Sequence, residues 1–188
     1  MEPSILAYNM YTRGDIGLSL DDILNEYMPG ISIEADFEKY QQLVNLIISC
    51  GSQCSINNTG WSYNHNDIID FLKLQPGQKV NIFNVDHHHD LGYEKDVNKI
   101  DCSNWVYYLH QMGYLNTYYW IGNKNSQFPM MELDNYIYST DIGILQYTHF
   151  DKIFVSFSPN WIPKKYHPLC YILADLLKKS SVTQDIDK

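Results

Sequence analysis

Residues 80–90 read VNIFNVDHHHD, and the fold turns on how this stretch divides. Val80, Ile82, Phe83 and Val85 form a short apolar run led in by Pro76 and Gly77, the pattern of a buried parallel strand followed by a loop. A strand of that kind aims its carboxyl end at a site. If the chain stays extended beyond Val85, alternate side chains share a face, so Asp86, His88 and Asp90 converge while His87 and His89 point elsewhere. Two hard carboxylates around one imidazole suit Mn²⁺, Fe²⁺ or Zn²⁺ better than a thiolate-seeking ion. The plain alternative is a solvated polar loop; the Asp-x-His-x-Asp spacing directly behind a strand argues for a site.

Working outward, the polar segment SINNTGWSYNHND (55–67) reads as a loop that delivers His65 to the start of a helical pattern at Ile68, Ile69, Phe71 and Leu72. Asn64, Asn66 and Asp67 either orient the imidazole or cap that helix. On the other side, LGYEKDVNKIDCSNW (91–105) is polar enough to lie over the strand ends, where α/β proteins build their sites. Glu94 is a candidate for holding a cation or moving a proton, and Asp101 is a candidate ligand or support for one. A helix is predicted from Trp105 to Met112, stopped by Gly113, with His110 along its surface.

Strands are predicted within residues 1–12, at TYYWIG (117–122) and at KIFVSFS from Lys152, with a short element at Ile142–Tyr147. Helices are expected at Leu18–Tyr27, Asp36–Ser49 and Leu169–Leu177, and the terminal SSVTQDIDK should fray. This alternation predicts an α/β fold, a three-layer αβα sandwich with a mainly parallel sheet, in a single domain spanning 1–188.

An apolar strand ending in Asp-x-His-x-Asp, with a further His one βα unit upstream, resembles the arginase and agmatinase (ureohydrolase) superfamily. The DHHHD core, Cys102–Trp105 and the SFSPNW segment (156–161) look most like the small, divergent peptide arginases of ribosomal-peptide pathways. The resemblance covers roughly residues 60 to 165. It implies a reduced arginase-like fold, two Mn²⁺ ions, metal ligation by His65, Asp86, His88, Asp90 and Asn160, and substrate contacts from Glu94, Asn104 and Trp105. Proton transfer would fall to His87, His89 or Glu94. The family supplies a late Asp-x-Asp pair, whereas this chain has Ser158-Pro159-Asn160, so Asn160 is a ligand without charge, Asp101, Asp134 or Asp141 substitutes from elsewhere, or the second ion is held loosely. The implied reaction converts arginine within a precursor peptide to ornithine and urea, using water activated by the cations.

Composition narrows the alternatives. At 22.0 kDa, with 45% hydrophobic residues and sixteen tyrosines, the chain is expected to fold, with most tyrosines in buried amphipathic packing. A formal charge of −9 argues against general nucleic-acid binding, which relies on Lys and Arg to neutralise phosphates, and favours cationic partners. No stretch approaches the ~18 apolar residues of a membrane span and the start lacks a basic, then apolar, leader, so no membrane partner and a cytoplasmic location are expected; self-association stays open. Cys50, Cys54, Cys102 and Cys170 read as reduced, mostly structural thiols. Two rivals stand beside the arginase reading. A DHH phosphoesterase needs an early Asp-x-Asp strand and a basic phosphate-binding surface, and a catalytically silent metal-binding interaction domain needs neither.

Overall fold

The structure, a computed structural model, describes residues 2–9, 41–42, 44–45, 58–92, 99–122, 126, 128–129, 133–157 and 167–182. Its strands are β1 (Ser4–Asn9), β2 (Thr59–Ser62), β3 (Val80–Val85), β4 (Leu115–Ile121), β5 (Tyr136–Ser139) and β6 (Lys152–Ser156). The α-helices with described bounds are α1 (Ile68–Leu72), α2 (Trp105–Gln111) and α3 (His167–Val182), with 3₁₀ segments at His65–Asp67 and Ile142–Tyr147. The six strands form one sheet in the order β2-β6-β1-β3-β4-β5, and every described pairing is parallel.

A parallel sheet needs apolar cover on both faces, and the strands show it by period-two alternation. Ile5, Ala7, Val80, Ile82, Tyr118, Trp120 and Phe154 pack with Ile68 and Leu72 of α1 and Trp105, Val106 and Leu109 of α2. Leu6, Phe83, Val85, Ile121, Ile153 and Val155 pack with Ile142 and Leu145 of the second 3₁₀ segment and Leu173 and Ala174 of α3. The chain is thus α/β, with helical elements against each face of the sheet. No helix among the described residues is long and apolar enough to cross a membrane.

Three expectations change. The polar stretch 55–67 contains an edge strand, β2, whose weak signal follows from its four-residue length and its Gly60. The other edge strand, β5, lies at Tyr136–Ser139, where no strand was predicted. α3 begins at His167 and continues through Val182, beyond the predicted Leu177 and into the tail expected to fray. The helix predicted over Leu18–Tyr27 lies outside the described residues; of Asp36–Ser49 only 41–42 and 44–45 are described, and these are helical.

Gly60 shows how closely β2 is set against the crossover helix. A Cβ at this position would lie 2.6 Å and 2.7 Å from Phe71 ring carbons, and that ring already packs on Phe154 and under the Lys152 ammonium. Gly60→Ala is expected to lower stability by about 1–3 kcal/mol, the usual cost of overpacking, read as a reduced urea midpoint with an unchanged slope.

The topology also places the site. After β1 the chain leaves for one edge of the sheet, after β3 for the other, and β1 and β3 are neighbours. Their carboxyl ends form a topological switch point, the crevice where open α/β sheets bind ligands. Asp86 is the first residue beyond β3.

Candidate metal centre

Both backbone groups of Asp86 are tied to β4: its N–H donates to the Ile121 carbonyl at 3.3 Å, and its carbonyl accepts from Trp120 Nε1 at 2.9 Å. The chain then bends instead of staying extended, and Asp90 takes a left-handed conformation with φ 52°, which Asp tolerates better than bulkier residues. The Asp90 carbonyl accepts from Val106 N at 3.1 Å and Gly92 N donates to Ser103 O at 2.7 Å, so the loop is closed against the start of α2. This bend returns the Asp90 side chain to the Asp86 side.

His65 reaches the same point from the turn after β2. The Ser62 hydroxyl donates to the Asp67 carboxylate, and the Asn64 amide donates to it at 3.5 Å, bracing the 3₁₀ turn. Asn64 and Asp67 therefore shape the turn that carries the imidazole. His65 is fully buried, and its Nδ1 lies 3.2 Å from Asp86 Oδ2 and 3.0 Å from Asp90 Oδ2. Neither ring nitrogen meets an acceptor with hydrogen-bond geometry, despite those short distances. One atom from each of the three residues falls within 4.8 Å of the others.

No protein-family model, curated protein or solved structure matches this chain. The reading of the site therefore rests on its own chemistry. Within the three-residue group, two carboxylates and one imidazolium sum to one negative charge, and a divalent cation beside a neutral imidazole would bring that sum to zero. A buried polar atom without a directed partner calls for an explanation, and both ring nitrogens of His65 are such atoms. The N,O,O donor set could hold a divalent ion of the Mn²⁺, Fe²⁺ or Zn²⁺ kind. Without a metal, burial disfavours the His65 imidazolium, but Asp86 and Asp90 outweigh it and raise the group to about 9. Burial, then the charge of Asp86, raises Asp90 to about 6.

His88 is not the third member of this cluster, contrary to the expectation from extended alternation. Its Nδ1 lies 3.9 Å from Asp86 Oδ1, the other oxygen of that carboxylate, and its backbone N–H donates to the same oxygen at 3.3 Å. His87 is half-buried, its carbonyl accepting from Ser126 Oγ at 2.7 Å and its ring edge-on to His88. His89 is buried, its Nδ1 accepts from Leu91 N at 3.0 Å, and its ring stands edge-on to Trp120. Burial and then the neighbouring His88 push it down to about 4, the opposite of what a proton donor at neutral pH requires.

Two residues expected to touch substrate are turned inward. Trp105 is wholly buried and donates from Nε1 to Asp90 Oδ2 at 2.7 Å. Asn104 accepts from Asp101 N and donates to the Lys99 carbonyl, each at 2.9 Å, tying its own loop together. Asp101 accepts from Ser103 through both N–H and Oγ, and Asp141 caps the 3₁₀ helix through Gly143 N. Neither these nor Asp134 joins the cluster. Glu94 and Asn160 lie outside the described residues.

Sequence reasoning missed Asn84 and Tyr118. Asn84 Nδ2 donates to Tyr118 Oη at 3.0 Å and lies 3.4 Å from Asp90 Oδ2, and Tyr118 Oη donates to the His89 carbonyl at 2.7 Å. A signal was present: Asn84 is a polar residue inside a largely apolar strand, two positions before the first carboxylate, and unlike Asn81 it is buried.

Proposed function

We propose that this chain is a divalent-metal-dependent hydrolase acting on the guanidinium group of arginine within a peptide, with ornithine and urea as products. The observation that carries the reading is the convergence of His65 Nδ1, Asp86 and Asp90 in the interior at the switch point of a parallel sheet. The resemblance of the DHHHD segment to peptide arginases supports the choice of substrate.

A guanidinium is a poor electrophile and neutral water a poor nucleophile; a bound divalent cation supplies the positive charge that makes water reactive at neutral pH. Asp86 directs Oδ2 toward His65 and Oδ1 toward His88. A carboxylate disposed in this way would suit two cations, and His88 would be available to the second, with Mn²⁺ the ion the resemblance implies. His87 is the group to hand a proton to the departing amine, because His89 is buried with Nδ1 already engaged by Leu91. The net charge of −9 favours approach of a cationic peptide.

β1, SILAYN, carries no carboxylate, which weighs against the phosphoesterase alternative and its early Asp-x-Asp strand. The test is mass spectrometry of arginine-containing peptides incubated with manganese-loaded protein. Loss of the elements of cyanamide at an arginine, with one urea released for each, is the expected result. Unchanged peptides across varied sequences would overturn the arginase reading, cleavage of a phosphodiester would move the protein to the other class, and metal uptake without either activity would leave a binding domain.

A further inference from the structure

We infer that Trp105 is a positioning residue that clamps two of the three metal-binding side chains at once, holding Asp90 by its indole N–H and His65 by its ring. The inference rests on the metal-site reading above and adds to it the element that sets the site's affinity.

The three members of the cluster come from two segments, His65 from the turn behind β2 and both carboxylates from the loop behind β3. β2 and β3 are separated in the sheet by β6 and β1, a span of three strand spacings, or roughly 14 Å. β2 and β3 are thus not paired directly, and His65 is tied to Asp90 through the sheet only by way of β6 and β1. A side chain from a third segment can tie them directly, and Trp105, the first residue of α2, contacts both. Its ring lies 5.0 Å from the His65 ring, centroid to centroid, at 52°. Its Nε1 donates to Asp90 Oδ2 at 2.7 Å, the same oxygen that stands 3.0 Å from His65 Nδ1.

The clamp is itself held. The Val106 N–H donates to the Asp90 carbonyl, so the start of α2 and the loop bearing Asp90 are joined through backbone as well as side chain. Asn84 Nδ2 also donates to the same Asp90 oxygen and is fixed by Tyr118. An indole suits this place because it has one donor and no acceptor: it can polarise the carboxylate without competing for a cation. Its flat, buried face also limits rotation of the imidazole.

Trp105→Phe keeps an aromatic face toward His65 and removes the N–H. Its Mn²⁺ dissociation constant, measured by titration calorimetry on the full chain, should rise about 10- to 100-fold, the usual consequence of losing an outer partner of a metal ligand. The visible spectrum of the Co²⁺-substituted protein should change as well, because Asp90 is no longer held in one orientation. Leu109→Val, in the same helix and apolar cluster with no polar contact to the site, should leave both readouts unchanged while lowering the urea midpoint. Unchanged affinity and an unchanged Co²⁺ spectrum in Trp105→Phe would overturn the inference. So would an equal loss of affinity in Leu109→Val, since that would make the effect one of packing. Failure of the parent to bind either ion would instead remove the metal-site reading underneath.

Discussion

Asp86→Asn should leave the chain folded and abolish its metal binding. The change is nearly isosteric: the amide oxygen can still accept the His88 N–H, and the amide nitrogen can donate to a neutral His65 Nδ1. What disappears is one of two buried negative charges. If the cluster exists to hold a cation, the metal-free variant has less repulsion to contain and denatures at or above the temperature of the metal-free parent. Its Mn²⁺ affinity should fall by more than the ~100-fold that an outer partner costs, and any hydrolysis with it. The parent, in contrast, gains about 2.7 kcal/mol when Mn²⁺ is present at a hundred times its dissociation constant, worth roughly 5–10 °C for a chain of this size. A structural ion-pair cluster predicts the reverse. Removing one charge from such a buried group costs about 3–5 kcal/mol, so the variant would melt well below the parent and Mn²⁺ would shift neither. Differential scanning calorimetry of both proteins, with and without Mn²⁺, reads all four states.

The second large effect concerns His88. The N,O,O cluster is complete without it, yet His88 faces the remaining oxygen of Asp86. His88→Ala should therefore halve the manganese stoichiometry of a fully loaded parent and eliminate urea release, while the ion at His65, Asp86 and Asp90 stays. Elemental analysis after gel filtration, with a urea assay on the same fractions, checks it. Full loss of metal would mean the two positions fill only together, and unchanged stoichiometry would mean His88 is no ligand.

Much of this arrangement was readable in the chain, for reasons that also explain what was not. VNIFNV announced a buried strand because apolar positions on both faces are what a parallel interior strand requires, and β3 spans those six residues. The helix from Trp105 was legible through its spacing and the glycine beyond it; Gly113 has φ 71°, a conformation a larger residue would resist. The edge strands β2 and β5 were not legible, since each is four residues long with little burial, and pairing on one side only leaves no strong apolar pattern.

Within the site, His65, Asp86 and Asp90 were named correctly as neighbours, but for a reason that fails in part. Extended alternation put His88 between the two carboxylates. A bend and a left-handed Asp90 bring those carboxylates together without it. A local backbone reversal of this kind is set by tertiary bonds, from Ile121, Trp120 and Val106, that no local pattern contains. For the same reason Trp105 was read as facing a ligand: its position in the CSNW segment was visible, and the direction of its indole was not.

The measurement closest to the central claim is anomalous diffraction from a crystal of the protein soaked in Mn²⁺. The account predicts a manganese peak bonded to His65 Nδ1 and to carboxylate oxygens of Asp86 and Asp90, at roughly the 2.0–2.2 Å usual for such donors around a small divalent cation. A map with no peak among those three side chains, at a concentration that saturates binding in solution, would contradict it.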